Sequence, residues 1–389
     1  MTSIREAVRR MFSPVEPIPP GVYHYQAPVE DPLNYHLHLR VEPDGSGILI
    51  VNAATLLHLN KTAVEYAYHL VRQTPRDQLV QSIASRYRVT KEQAARDYQA
   101  FVDQVETLIA NPDLDPVMFL DFERQLPYSG DISAPYRLDC ALTYRLPESA
   151  DPQYAPVVRV SRELSTAEWQ TILDKSWDAG IPHAVFTGGE PTLREDLPVL
   201  IKHGQAIGQV TGLITDGIRL SDSNYLNDLL LTGLDHLMIN LDPKNEQVWQ
   251  AIREAASDEI FTAVHITITA ENQQAIPEFI DRLASLGING ISLSTNSVEL
   301  TSEFQAVRDL VASKQIPLVW DLPVPYSALN PVALEVEGLD LPAGAGRAWL
   351  YVEPDGDVLP AQGYNHVLGN LLTDPWEKIW SEAKTVPSD

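Results

Sequence analysis

The stretch Phe186-Thr187-Gly188-Gly189-Glu190-Pro191-Thr192 decides how this chain is read. The residues before it, His183-Ala184-Val185-Phe186, form a short apolar run that reads as a buried strand. Gly188 and Gly189 let the backbone turn sharply and come close to a ligand. Glu190 puts a carboxylate at the turn, and Pro191 stops the strand from continuing. A strand end is therefore expected here, with a helix after it.

Working outward, the pattern repeats. Strands are expected at 136–143, 183–187, 209–214, 235–241, 262–268, 290–294 and 317–321. Helices are expected between them at 165–179, 194–206, 222–232, 244–256, 272–286 and 300–314. Gly180, Gly233 and Gly287 stand where helices end. Strand–helix units of about 25–30 residues argue for an α/β fold, a parallel sheet wrapped into a partial (β/α)6 TIM-like barrel. Ligands in such folds sit at the C-terminal ends of the strands, where the Gly-Gly-Glu-Pro turn lies.

Residues 12–34 are rich in Pro and Tyr and read as an extended leader. His36-Leu37-His38-Leu39-Arg40-Val41 alternates, and Gly47-Ile48-Leu49-Ile50-Val51 follows the turn Pro43-Asp44-Gly45, which predicts a hairpin. Three helices follow, at 61–72, from Thr74-Pro75 to about 86, and after the capping box Thr90-Lys91-Glu92-Gln93. Residues 111–132 read as a linker. A second hairpin is expected around Pro354-Asp355-Gly356, then Gly369-Asn370 and a helix from Asp374 to Trp380.

The chain of 389 residues is 44% hydrophobic, enough for two or three domains. A net charge of −25 repels phosphate backbones and argues against nucleic acid as a partner. Arg5, Arg9 and Arg10 make one small basic patch, and Ile4, Val8, Met11 and Phe12 suggest a short amphipathic arm docking on the protein itself. No apolar stretch approaches the roughly 20 residues that cross a bilayer, and a cytoplasmic protein is expected. The single cysteine excludes an intramolecular disulfide and a Cys-rich zinc site. Cys140 lies in an apolar strand and reads as a buried, inert thiol. His36 and His38 share one strand face without a third ligand and are expected at the surface. No Ser-His-Asp or paired-carboxylate arrangement stands out.

A strand ending in Gly-Gly-Glu-Pro resembles the methionine-binding turn of radical S-adenosylmethionine (SAM) enzymes, whose glutamate region holds the amino group of SAM. The hairpin with three helices resembles the winged-helix-like PqqD domain, which implies a peptide added as a strand to the hairpin edge. Pro354-Asp355-Gly356, Val358, Pro360, Gly369-Asn370 and Ile379-Trp380 resemble the SPASM or twitch extension. The resemblance divides the chain into an extended arm (1–34), a PqqD-like peptide-recognition domain (35–110), a linker (111–132), a radical-SAM-like partial barrel (133–322) and a SPASM/twitch-like hairpin–helix extension (323–389).

The departures fall where the chemistry should be. The family's CxxxCxxC positions are Leu146, Ala150 and Gln153. The auxiliary cysteine positions are Ala343 and Ala361. Leu142-Thr143-Tyr144-Arg145 before the gap and Tyr154 after it keep the family frame. Iron–sulfur units need thiolates, so no 4Fe-4S cluster, no metal and no catalytic residue are expected. A residual SAM site would comprise Gly188, Gly189, Glu190, Pro191, Thr215, Asp216, Asn240, Asp242, Thr267 and Thr295. The resemblance thus implies a pseudoenzyme, a peptide- or protein-binding, scaffolding or regulatory subunit working beside an active radical SAM paralogue. The alternative is an enzyme using the barrel mouth on SAM or a small ligand without a cluster.

Overall fold

The computed structural model describes residues 18–28, 31, 33, 35–52, 55–87, 89–111, 132–148, 150–157, 160, 162–258, 260–320, 322–337 and 341–387. The expected N-terminal amphipathic arm and nearly all of the 111–132 linker lie outside them. The chain separates into two compact units, Met1–Ile132 and Ser133–Asp389.

The first unit is a four-stranded antiparallel sheet in chain order, with β1 (Gly21–Gln26), β2 (His36–Val41), β3 (Gly47–Val51) and β4 (Thr55–Leu59). Helices α1 (Lys61–Val71), α2 (Arg76–Tyr87) and α3 (Lys91–Ala110) follow. Strand alternation puts Leu37, Leu39, Leu49, Val51, Leu57 and Leu59 on one face. They pack with Val64, Ala67 and Val71 of α1 and Phe101, Val105 and Leu108 of α3. Asn60 caps α1 by accepting from the amides of Thr62 and Ala63, and Thr90 caps α3 by accepting from the Gln93 amide. The expected hairpin β2–β3 is present, and a strand flanks it on each side. β1, inside the Pro- and Tyr-rich leader, pairs with β2 from Gly21↔Val41 to Gln26↔His36.

The expected surface position of His36 and His38 is overturned, since both are buried. They share their face with Ile48 and Ile50 of β3, which are buried too. That face is not open to solvent. The rings of His36 and His38 stack at 6.1 Å, and His24 of β1 lies 6.4 Å from His38.

In the second unit, β5 (Arg137–Thr143), β6 (His183–Gly188), β7 (Val210–Thr215), β8 (His236–Asn240), β9 (Phe261–Ile268) and β10 (Gly290–Thr295) run parallel in one sheet. Helices α4 (Thr166–Asp178), α5 (Leu197–Ile207), α6 (Ser223–Leu230), α7 (Glu246–Ser257), α8 (Ile276–Leu286) and α9 (Thr301–Ser313) alternate with them. This is the expected partial (β/α)6 barrel. Val185, Ile214, Met238 and Ala263, one from each of four successive strands, form an inner apolar layer. The strand expected at 317–321 shrinks to one bridge, Ile291↔Leu318. Pro317 and Pro323 carry no amide to donate, and Val319 and Leu322 turn inward onto the apolar layer. A short helix α10 (Val332–Glu337) follows. In the extension, β11 (Trp349–Val352) joins the sheet parallel to β5. β12 (Asp357–Leu359) and β13 (Gly369–Asn370) then add antiparallel, and α11 (Trp376–Ala383) closes the chain. No helix among the described residues is long and apolar enough to cross a membrane.

At the N-terminal end of the barrel strands, His183 Nε2 and His236 Nε2 lie 2.7 Å apart, beside Gly212 of β7. A Cβ on Gly212 would meet the His236 ring at 2.1 Å. Gly212→Ala is expected to cost about 1–3 kcal/mol by forcing the imidazole out of place. Urea denaturation monitored by tryptophan fluorescence measures it.

Candidate functional site at the barrel mouth

The glycine turn is shaped by close approach to the end of β5. Gly188 has φ +128°, and a Cβ there would lie 2.2 Å from the Thr143 carbonyl oxygen. A Cβ on Gly189 would lie 2.3 Å from the Arg145 carbonyl oxygen. Any larger residue clashes with backbone at both positions. The Gly189 amide donates to Thr143 O at 2.8 Å and the Glu190 amide to Arg145 O at 2.8 Å. The turn is thus stitched to the chain that leads into position 146.

Glu190 is buried and its carboxylate is fully engaged. Oε1 accepts from the Thr192 amide (2.9 Å), the Thr192 hydroxyl (2.5 Å) and the Thr215 hydroxyl (2.8 Å). Oε2 accepts from the Asp216 amide at 2.7 Å. This side chain joins the ends of β6 and β7, so its lone pairs serve the fold. Asp216 caps the next turn by accepting from the Ile218 amide at 2.9 Å. Burial, and next the charge of Glu190, push the Asp216 carboxyl up to about 8.

The candidate residues therefore divide. Gly188, Gly189, Glu190, Pro191, Thr215 and Asp216 come together at one corner. Asn240 ends β8 with Nδ2 donating to the Ser327 hydroxyl at 3.3 Å. Thr267 is buried on β9 and accepts from the Ser294 hydroxyl at 3.2 Å. Asp242 is exposed and caps its own loop through the Lys244 amide, and Thr295 does the same around Ser297.

Four polar positions, two of them already named, line the mouth. Thr187, Asp216, Asn240 and His265 each lie two residues beyond a member of the inner apolar layer, so all face inward as the next layer. Thr187 and His265 were not among the candidates. The alternation His265-Ile266-Thr267-Ile268-Thr269 was the available signal for His265. Its ring nitrogens meet Ser292 Oγ and Ser294 Oγ, each at 2.9 Å, and burial pushes it down to about 3. Thr187 Oγ1 and Asn240 Oδ1 are buried without a hydrogen-bond partner among the described residues.

The positions that would hold an iron–sulfur cluster do not fit one. Leu146 is half-buried and packs against the buried cluster of Ala141, Tyr144, Ala155, Tyr326, Tyr351 and Leu359. The Ala150 amide closes a turn onto Pro147 O, and Gln153 is exposed in the short turn Pro152–Tyr154, its amide held by Asp151. None supplies a thiolate, and Cys140 is buried in β5 with its thiol pushed well up by burial. Ala361 packs with Ala345 and Trp349, and Ala343 is exposed. The described residues hold no group of three His, Cys, Asp or Glu side chains placed for a metal ion.

A partial (β/α)6 barrel, a Gly-Gly-Glu-Pro turn at a strand end and a hairpin extension continuing the sheet define the radical SAM/SPASM-like class. Residues 143–270 match the Radical SAM superfamily, and this match supports a radical SAM/SPASM-like protein. It is similar to the PqqA peptide cyclase of Streptomyces rochei, with 24% identity over 285 residues, 65% of this chain and 78% of that protein. In structure it is similar to Streptococcus suis SuiB bound to precursor peptide SuiA (TM-score 0.58, 14% identity, 88% of this chain and 86% of that one). SuiB bound to S-adenosylmethionine gives a TM-score of 0.53 at 14% identity, over 92% and 88% of the two chains. At such identity the structural likeness establishes the fold.

Two outcomes follow from the corner. An acid with a raised folded-state pKa stabilises below its unfolded value of about 4, and that stability is lost as pH rises through the folded value. Wild type should therefore lose stability as pH rises from about 4 to about 8 through Asp216. Asp216→Asn, which keeps the acceptor for Ile218, should flatten that slope in urea midpoints read at pH 5 and pH 8. Glu190→Ala leaves two hydroxyls and two amides without their acceptor and should cost about 2–4 kcal/mol at pH 7.

Proposed function

We propose that this chain is a catalytically inactive radical-SAM-like protein that binds a peptide or protein partner as a scaffolding or regulatory subunit, beside an active radical SAM paralogue. One observation carries the inactive half. Each cluster position has been absorbed into ordinary packing or turn formation, Leu146 most plainly, since it seats against a buried tyrosine cluster. Without thiolates no reduced cluster delivers an electron to SAM. A cytoplasmic location belongs to the same reading.

The binding half is supported by two relatives whose names carry a peptide, the PqqA peptide cyclase and SuiB with its precursor peptide. Residues 35–110 would be the recognition domain. β1 and β4 occupy the two edges of the β2–β3 hairpin, so a peptide strand would add outside one of them. Among the described residues, no strand pairs with the outer edge of β1 or β4. The second reading, a cluster-free enzyme on SAM or a small ligand, keeps one support, the unpartnered Thr187 Oγ1 and Asn240 Oδ1.

Anaerobic iron–sulfur reconstitution tests the inactive half. No stoichiometric iron and no stable charge-transfer absorbance are expected, and a cluster bound at one per chain would sink the proposal. Leu56 of β4 is half-buried. Leu56→Asp should weaken capture of a precursor peptide encoded beside the gene by about tenfold or more with little change in urea midpoint. Unchanged capture would remove β4 as the edge.

A further inference from the structure

The segment 322–331 follows the Ile291↔Leu318 bridge and crosses the mouth. Leu322 packs on the inner apolar layer, against the group of Val185, Ile214, Met238 and Ala263. The Tyr326 amide donates to Gly188 O at 3.1 Å, in the glycine turn itself. Its ring is fully buried, meets Tyr144 edge-on at 5.5 Å, and its hydroxyl donates to Glu335 at 2.8 Å. Ser327 Oγ accepts from Asn240 at the end of β8. Val324 O is held from two sides, by Asn330 Nδ2 at 3.3 Å and Gln362 Nε2 at 2.8 Å. Pro323, Pro325 and Pro331 stiffen the segment and lower the entropy it loses on ordering.

A connector between a barrel and an extension has no need to bury a tyrosine or to bond two strand ends. This one takes a hydrogen-bonding group at each of two places, the glycine turn and Asn240, that belong to the candidate SAM site. It also lies on the tyrosine cluster that receives Leu146. We propose that 322–331 is an intrachain plug: it holds the groups a SAM-like ligand would use, and such a ligand enters the mouth only when this segment leaves. The proposal is independent of whether residues 35–110 bind a peptide.

The test combines residue-resolved hydrogen exchange with calorimetry, using the full chain and SAM as the probe. In wild type the Tyr326 amide should exchange at least about 100-fold more slowly than in an unfolded chain. SAM should then either fail to bind up to about millimolar concentration, or bind with loss of that protection. Saturable SAM binding with the Tyr326 amide still protected would overturn the proposal, because plug and ligand would coexist. An unprotected Tyr326 amide in the free protein would overturn it as well. Gln362→Ala removes one tether of Val324 without touching Gly188, Asn240 or the tyrosines. It should speed exchange at 324–330 by about tenfold and strengthen SAM binding in proportion. Faster exchange without any gain in SAM binding would also refute the plug. Tyr326→Ala is the stronger variant where it folds.

Discussion

The buried carboxylate of Glu190 is the interaction on which the mouth of this barrel depends. It gathers four donors from Thr192, Thr215 and Asp216 and ties β6 to β7. A buried carboxylate is tolerated only with such satisfaction, since its desolvation costs several kcal/mol. The two glycines before it set the geometry, because the end of β5 passes too close for a side chain. The turn that looks like a ligand site is therefore also a structural joint between three strands. Its survival needs no ligand.

The rest of the mouth follows the same logic. Where a cluster and cofactor would bridge the 146–154 loop to the glycine turn, Tyr326 reaches from Gly188 to Tyr144, and Leu146 packs against the apolar cluster that contains both tyrosines. Tyr144 donates to buried Glu353 of the extension at 2.8 Å, so the extension is fixed to the same aromatic group. An interior left empty forfeits dispersion contacts and tends to collapse. Apolar and tyrosine side chains fill that space in a chain that has no thiolates there. The inward layer of Thr187, Asp216, Asn240 and His265 kept its polarity, and two of its atoms lack partners.

In the N-terminal unit the hairpin was legible because alternation and a Pro-Asp-Gly turn coincide. β1 was not, because prolines and tyrosines mask its period and its partner lies across a loop in β2. The histidines misled for a related reason. Alternation assigns His36 and His38 to one face but says nothing about whether that face meets water, and Ile48 and Ile50 show that it does not.

By itself the sequence determined the alternation of strands and helices from β5 to α9, the parallel barrel, the extension and the missing thiolates. Those rest on local rules: hydrophobic period, helix caps, glycine and proline punctuation, and the identity of single residues. Which strand-end polar groups share a site was decided by the tertiary structure, because that depends on register between strands far apart in the chain. Register made a layer of Thr187, Asp216, Asn240 and His265 and left Asp242 and Thr295 in their own loops. It also brought the amide of Tyr326 to the carbonyl of Gly188. No local pattern encodes a contact between residues 138 positions apart, which forms only once the barrel has closed around it.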